Sequence, residues 1–312
     1  MKLNLISSAS PHIHSGASSR LLMADVIIAL IPAAAAAAVL FGSKAIVMML
    51  VCILSAVAAE YVFNAVAGKD QSIADLSAVV TGLLLALNLS TNVPLWQCAV
   101  GSVFAIVVVK CLFGGMGHNF ANPAITARVF MILAFSAVAG GANPVLKTAV
   151  DAVSSATPLE LISQGNTYTL PSLQNMFLGL RGGTIGETCI LALLIGYAYL
   201  VWRKVIKWYI PVIFIGTVFV CSLIVTQSVN LAVYEVLSGG LVLGAVFMAT
   251  DYVTTPITAK GRAVFALGCG LVTVLIRFVF SYPEGVSFSI LLMNILTPWI
   301  EKLTRNRPLG GV

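Results

Sequence analysis

The chain has 312 residues, of which 59% are hydrophobic and 9% charged, with a mean hydropathy of +1.02. Soluble domains carry about 25% charged residues, so a water-soluble globule is excluded and an integral membrane protein remains. The formal charge of +6 is dispersed between apolar segments; it forms no sustained basic tract of the kind that binds nucleic acid, and reads instead as a set of topology signals.

Residues 1–20 form a polar segment rich in Ser and His, including His12 and His14, too short to build a core, and no cleavable signal peptide is apparent. Apolar runs then recur that are long enough to cross a hydrocarbon core of about 30 Å as helices. They lack the alternation of a transmembrane β-barrel. The first two helices are expected over about 21–41, whose Ala33–Ala38 run admits a close neighbour, and 44–66. A third, over about 74–88, is short for a span and stops in the polar segment Asn88-Leu89-Ser90-Thr91-Asn92-Val93-Pro94. Unwound backbone at that depth must line a cavity or be covered by protein.

The fourth helix covers about 95–113. Gly114 to Pro123 forms another break before a fifth helix that ends near Gly140. After a long polar interval, helices six to eight are expected over about 184–202, 208–226 and 231–249, with the basic turn Arg203-Lys204-Val205-Ile206-Lys207 after the sixth. Thr250 to Pro256 breaks the chain again, and the last two helices run to about Phe280 and Ile300. The six cysteines, Cys52, Cys98, Cys111, Cys189, Cys221 and Cys269, lie singly in apolar stretches and read as small buried hydrophobes; no metal site is expected.

Gly82 to Pro94 aligns without gaps on Gly244 to Pro256, each a helix end broken by polar residues before proline. The fold class expected is therefore an all-α integral membrane protein of about ten transmembrane helices in two inverted five-helix repeats with broken helices. Its parts are a cytoplasmic segment 1–20, a first repeat 21–140, an extracytoplasmic loop 141–183, a second repeat 184–301 and a cytoplasmic tail 302–312. The orientation follows from basic residues: an inside N-terminus puts Lys2, Arg20, Lys69, Arg203, Lys204, Lys207, Lys260, Arg262, Lys302, Arg305 and Arg307 in the cytoplasm and only Lys44, Lys147 and Arg181 outside. Both termini are then cytoplasmic in a multi-pass cell (inner) membrane protein.

Carboxylates at or near bilayer depth often mark ion paths, which makes Asp251, Glu60 and Glu284 candidates for an ion path. Asp251 reads equally as a helix-end cap, and Glu301, beside Lys302, as a solvated end charge. Arg128, inside the fifth helix, needs a partner, either Glu60 or an oxygen of a bound ligand. Lys110 and Arg277 lie near span ends, where long cations snorkel. Asn119 and Asn122 either contact a ligand or cap exposed backbone, capping being the simpler role. The polar interval contains Val153-Ser154-Ser155-Ala156-Thr157-Pro158-Leu159, which by composition is a turn; no His or carboxylate is placed to activate Thr157 as a catalytic nucleophile, and no catalytic residue is assigned.

Three stretches carry a resemblance over nearly the full length: Gly117-His118-Asn119-Phe120-Ala121-Asn122-Pro123-Ala124; Phe247 through Arg262 (FMATDYVTTPITAKGR); and Tyr282-Pro283-Glu284-Gly285 through Leu292-Met293-Asn294. In these the chain resembles the RnfD subunit of the Rnf ion-translocating electron transport complex and is similar to the subunit designated B in the sodium-pumping NADH:quinone reductase. In that family a separate flavin transferase joins the phosphate of FMN to the threonine of an Asp/Ser-x-Ala-Thr element. Ser154-Ser155-Ala156-Thr157 fits it, with Ser155 where many members have Gly.

The resemblance implies a flavoprotein subunit that relays electrons through covalent FMN on Thr157, within a complex coupling ferredoxin and NAD oxidation-reduction to translocation of Na+ or H+. A further, non-covalent riboflavin is compatible with it. No activity is expected from the isolated chain. Iron-sulphur cysteine motifs and a dinucleotide fingerprint are missing here, so those functions fall to partners: iron-sulphur, NADH- and FMN-binding, second FMN-threonine and small membrane subunits. The other partners are the transferase and membrane lipid, with no nucleic acid. The alternative is an inverted-repeat solute channel or transporter without a redox cofactor, in which the same polar breaks line a permeation path.

Overall fold

The computed structural model describes residues 18–135, 157–165, 167–280 and 284–305. Helix α1 (Ser19–Phe41) is capped by the Ser18 hydroxyl and ends at Gly42, whose φ of 72° suits glycine and turns the chain directly into α2 (Ser43–Val66). A single turn at Ile73–Asp75 leads to α3 (Ser77–Leu87), which stops at Asn88. After Pro94, α4 (Leu95–Phe104) continues as a π-helical stretch, Ala105–Cys111, and α5 (Pro123–Ala134) starts on an Asn122 cap with proline in its first turn.

Two short helices, α6 (Pro158–Ser163) and α7 (Leu173–Leu178), precede α8 (Ile190–Trp202) and α9 (Tyr209–Thr226). Helix α10 (Val229–Leu237) is followed by α11 (Leu241–Leu243), which passes into a second π-helical stretch, Gly244–Met248. The chain closes with α12 (Ala259–Val279) and α13 (Val286–Thr304). Five of these, α1, α2, α9, α12 and α13, are long and apolar enough to cross a membrane; α10 and α11 form one apolar pair bent by 62°, and α3, α4 with its extension, α5 and α8 are shorter apolar helices. Over the described residues the fold is all-helical, that of a multi-pass membrane protein.

Two expected helices are reshaped. The sixth begins at Ile190 rather than Thr184, because residues 181–189 leave helical geometry to bond the broken end of α3: Ile185 N donates to Leu89 O (3.0 Å) and Gly186 N to Leu87 O (2.8 Å). A Cβ on Gly186 would lie 2.8 Å from Leu87 O, so only glycine permits the approach. The eighth is broken at Ser238–Gly240, where Gly239 has φ +66°. The fifth is described only to Ala134, and residues 136–140 lie outside the described part.

Helix pairs meet through small residues, as expected where lipid removes most of the hydrophobic drive between helices. A Cβ on Gly82 of α3 would be 2.7 Å from Cys52 O of α2, and one on Gly270 of α12 would be 3.1 Å from Phe214 O of α9. Gly196 of α8 lies directly against Ala29 O of α1, whose Ala33 and Ala37 are also buried. The two halves share a pattern. Helices starting at Ser43, Ser77, Leu95 and Pro123 correspond to those starting at Tyr209, Leu241, Ala259 and Val286 at nearly constant displacement. In each half the second helix packs on the third and fourth segments and the fourth on the fifth, while α1 meets α8 and α5 meets α13 between halves.

Candidate functional site

The broken helices bring two cavities into the interior. At the end where α3 begins and the Gly244–Met248 stretch finishes lies a mainly apolar cavity of about 80 Å³, lined by Met23, Leu84, Met116, Leu200 and Phe247 with Lys110, Asn119, Asn122 and Asp251 among its polar groups. At the opposite end, where α3 stops and α11 begins, a smaller polar cavity is lined by Asn88, Arg128, Gly240, Arg277, Glu284 and Ser287. A third, open groove of about 440 Å³ runs past Asn119, Tyr252 and Glu301.

In the first cavity Asn122 is a cap: its Oδ1 accepts from Ala124 N (3.0 Å) and Ile125 N (3.3 Å), and its Nδ2 donates to Asp251 Oδ2 (3.4 Å). Asp251 organises its own turn, accepting from Val253 N and Thr254 Oγ1 at 3.2 Å each. With the Asn294 amide oriented to satisfy both neighbours, its oxygen accepts from Asn122 N (3.1 Å) and its nitrogen donates to Thr254 O (3.2 Å), so α5, the 250–256 break and α13 are tied together. Asn119 caps nothing; its Oδ1 is buried and has no hydrogen-bond partner. Glu301 is more than an end charge, because its Oε1 accepts from Ile257 N at 2.9 Å and anchors the start of α12 to α13.

The buried ions correct several expectations. Arg128 pairs with Glu284, to which its Nη2 donates, and its Nη1 donates to Asn88 Oδ1 (2.5 Å); Glu60 is not its partner. Glu60 instead accepts from Lys110 Nζ (2.7 Å) and Ser72 Oγ (2.5 Å), while Lys110 Nζ also donates to Ser77 Oγ (2.6 Å). Lys110 is 2% exposed and Arg277 7%, so neither snorkels. The π-helical geometry begins at Ala105 and turns Lys110 into the bundle, and Arg277 Nη1 donates to Glu235 Oε2 (2.9 Å) and to Glu235 O (2.7 Å). Arg181 is equally buried at 1%, its Nη2 donating to Glu187 O (2.8 Å), and so it is an interior cation rather than a loop charge.

Thr157 is half-buried and starts α6 in a capping box: its Oγ1 accepts from Glu160 N (3.2 Å) and its N–H donates to Glu160 Oε2 (3.4 Å). Pro158 and Leu159 are buried, and α6 packs against α10. The Leu159 side chain reaches the Gly239 turn, where a Cβ would lie 3.5 Å from Leu159 Cδ2 and 3.1 Å from Arg277 Nη2. Leu159, two residues after the threonine, thus lies beside the Gly239 turn, whose next residue, Gly240, lines the polar cavity. Ser154, Ser155 and Ala156 lie outside the described residues.

Glu187, Glu235 and Asp25 were not singled out by the sequence pattern, although all three fall in or beside apolar runs, where an ionisable residue signals a partner or a function. Asp25, near the start of α1, accepts from Tyr199 Oη (2.8 Å) and from Arg203 Nε (3.2 Å), clasping α1 to α8. Among the described residues, no group of three or more His, Cys, Asp or Glu side chains is placed to hold a metal ion.

Broken helices enclosing buried, mutually neutralising charges, within an all-helical apolar scaffold, define a multi-pass membrane protein with a polar working interior. The chain belongs to the NQR2, RnfD, RnfE family, whose model matches residues 6–310. It is 47% identical over 311 residues to the subunit designated D in the Na(+)-translocating ferredoxin:NAD(+) oxidoreductase complex of Acetobacterium woodii, covering 99% of this chain and 96% of the relative. It is 40% identical over 310 residues to the subunit of the same designation in the proton-translocating ferredoxin:NAD(+) oxidoreductase complex of Clostridium ljungdahlii, covering 96% and 94%. To its counterpart in the ion-translocating oxidoreductase complex of Citrobacter koseri it is 32% identical over 345 residues, covering 97% and 98%.

Proposed function

We propose that this chain is the membrane flavoprotein subunit of an Rnf-type complex that couples electron transfer between ferredoxin and NAD to ion translocation, carrying FMN as a phosphoester on Thr157. The observation that carries the reading is full-length similarity to subunits of ferredoxin:NAD(+) oxidoreductase complexes so named in two organisms; a threonine that caps α6, two residues before the Leu159 contact with the Gly239 turn, supports it. The capped hydroxyl suits the modification. Thr157 Oγ1 is used as an acceptor by Glu160 N, and an ester oxygen still accepts, so attachment replaces the hydroxyl proton while the cap persists. Bound flavin supplies stepwise electron uptake and release, and the protein contributes position and electrostatics. Tethering keeps the ring at high local concentration through repeated turnover.

The larger cavity suits a second, non-covalent flavin, riboflavin. Its apolar walls match a planar ring, and the unpartnered Asn119 Oδ1, with Asn122, Asp251 and Lys110, offers polar contacts at the edge. In this reading the apolar helices and the bent pair make ten spans in two inverted five-helix repeats, a topology supported by the matching helix starts and packing of the two halves. The termini are cytoplasmic and Thr157 extracytoplasmic. The iron-sulphur, NADH-oxidising, second FMN-bearing and small membrane subunits complete the complex, and a flavin transferase modifies Thr157.

The test is to produce the chain with and without a flavin transferase, denature it and look for ultraviolet fluorescence on a gel. Fluorescence that requires the transferase and vanishes in Thr157→Ala is expected. Absence of covalent flavin with a transferase active on a control substrate, together with solute flux from the purified chain, would replace this reading with a channel.

A further inference from the structure

Around the bend between α10 and α11 the chain gathers three cations and three carboxylates: Arg128, Arg181 and Arg277 with Glu187, Glu235 and Glu284. Two pairs are closed, Arg128 on Glu284 and Arg277 on Glu235. Glu187 differs. It is 3% exposed; Oε1 accepts from Thr184 N at 3.1 Å, and Oε2 is buried with no hydrogen-bond partner. The cation nearest in sequence, Arg181, spends Nη2 and Nε on the carbonyls of Glu187 and Thr188 (2.8 and 3.4 Å), and its Nη1 is unpartnered.

The free oxygen lies behind Gly240, at the edge of the polar cavity. A Cβ on Gly240 would sit 3.5 Å from Glu187 Oε2 and 3.9 Å from Asn88 Oδ1, and both Gly240 and Asn88 line that cavity. The Nε atoms of Arg128 and Arg277, which line it too, are also buried without partners. Several unsatisfied polar atoms around one small polar space call for water, since leaving each dry costs about 1–3 kcal/mol. A hydrated carboxylate with one committed and one free oxygen can take up a proton without dismantling an ion pair. The other two carboxylates cannot.

We infer that Glu187 is a proton-binding site whose occupancy is linked to the charge on the group carried by Thr157. The link is spatial: Leu159, two residues from Thr157, touches the Gly239 position, and the next residue, Gly240, faces Glu187. The step is –COO⁻ + H3O⁺ → –COOH + H2O at Glu187 when an electron arrives nearby from the partner electron carriers. The six charges of the cluster cancel, so an added electron is otherwise uncompensated in a medium of low dielectric constant. Glu187 acts through charge and touches no reacting atom, which makes it a positioning residue. The inference rests on the reading that Thr157 bears FMN.

The experiment is a potentiometric titration of the covalent flavin in the full chain co-produced with the transferase, at a series of pH values. A one-electron potential linked to one proton falls by up to 59 mV per pH unit, the equivalent of a tenfold change in proton concentration. The wild type is expected to show such a slope over part of the range. Glu187→Gln keeps the oxygen that accepts from Thr184 N; it is expected to retain covalent flavin, flatten the slope and hold the potential higher. Glu187→Asp, which keeps a titrating group but withdraws it, should displace the sloping region along the pH axis. Flavin present with wild-type profiles in both variants overturns the role of Glu187 alone. Absence of covalent flavin from the wild type, seen on the gel before any titration, overturns the reading beneath it.

Discussion

Replacing Lys110 by methionine tests whether the interior charges are as dry as the geometry makes them. Lys110 and Glu60 are 2% and 0% exposed, and their ion pair spans 2.7 Å. The substitution retains volume and removes the cation, leaving Glu60 with only the Ser72 hydroxyl donating to it and its second oxygen unpartnered. Removing one member of a buried pair costs about 3–5 kcal/mol, because the other charge stays desolvated. For a domain of this size that is a melting-temperature loss on the order of 10 °C. The assay is thermal unfolding in detergent followed by tryptophan fluorescence, run beside Glu60→Leu and the double variant. Each single variant is expected to melt well below the wild type, and the double to recover most of the difference, since an apolar pair of similar volume is often neutral or better. A Lys110→Met protein that melts within about 1 kcal/mol of the wild type would refute the argument, because it would mean that Nζ reaches water.

Gly186→Ala should prevent the 181–189 segment from docking on α3, since its Cβ would lie 2.8 Å from Leu87 O; overpacking of about 1–3 kcal/mol is expected, read as a lower melting temperature and faster proteolysis before α8. Gly239→Ala places a side chain at φ +66° with its Cβ 3.1 Å from Arg277 Nη2, and is expected to cost about 1–2 kcal/mol in the same melt. Thr157→Ser keeps the oxygen that accepts from Glu160 N and should melt with the wild type, whereas Thr157→Ala loses the cap, worth about 1 kcal/mol, and frays α6, visible as faster amide exchange at Glu160.

The spans and their breaks were legible because hydropathy and proline report directly on local structure. Asn88 to Pro94 and Thr250 to Pro256 do interrupt helices, and α3, and α4 taken with its π-helical extension to Cys111, start and stop within a few residues of their expected bounds. The charges were harder. Lys110 and Arg277 looked able to snorkel because a position near the end of an apolar run says nothing about which way a helix face turns. Their burial depends on Glu60 and Glu235, which lie 50 and 42 residues away. Arg181 was misplaced, and Glu187 passed over, for a related reason. Apolar neighbours suggested helix from Thr184, and the backbone bonds to Leu87 and Leu89 that unwind it are visible only once α3 is in place. Arg128 was the one charge whose need for a partner the sequence did show, because an unpaired charge in a span is reason enough to look for its opposite.

The close approaches at Gly82, Gly196 and Gly270 carry a thermal consequence. A soluble domain that unfolds exposes apolar surface to water, and the resulting rise in heat capacity curves its stability with temperature. When these helices separate within a bilayer, the surfaces that faced Cys52, Ala29 and Phe214 meet acyl chains instead. That exchange of one apolar contact for another leaves little hydration change. The cohesion of the bundle is then nearly temperature-invariant, and chilling, which weakens the core of a soluble protein, leaves these crossings as tight as before.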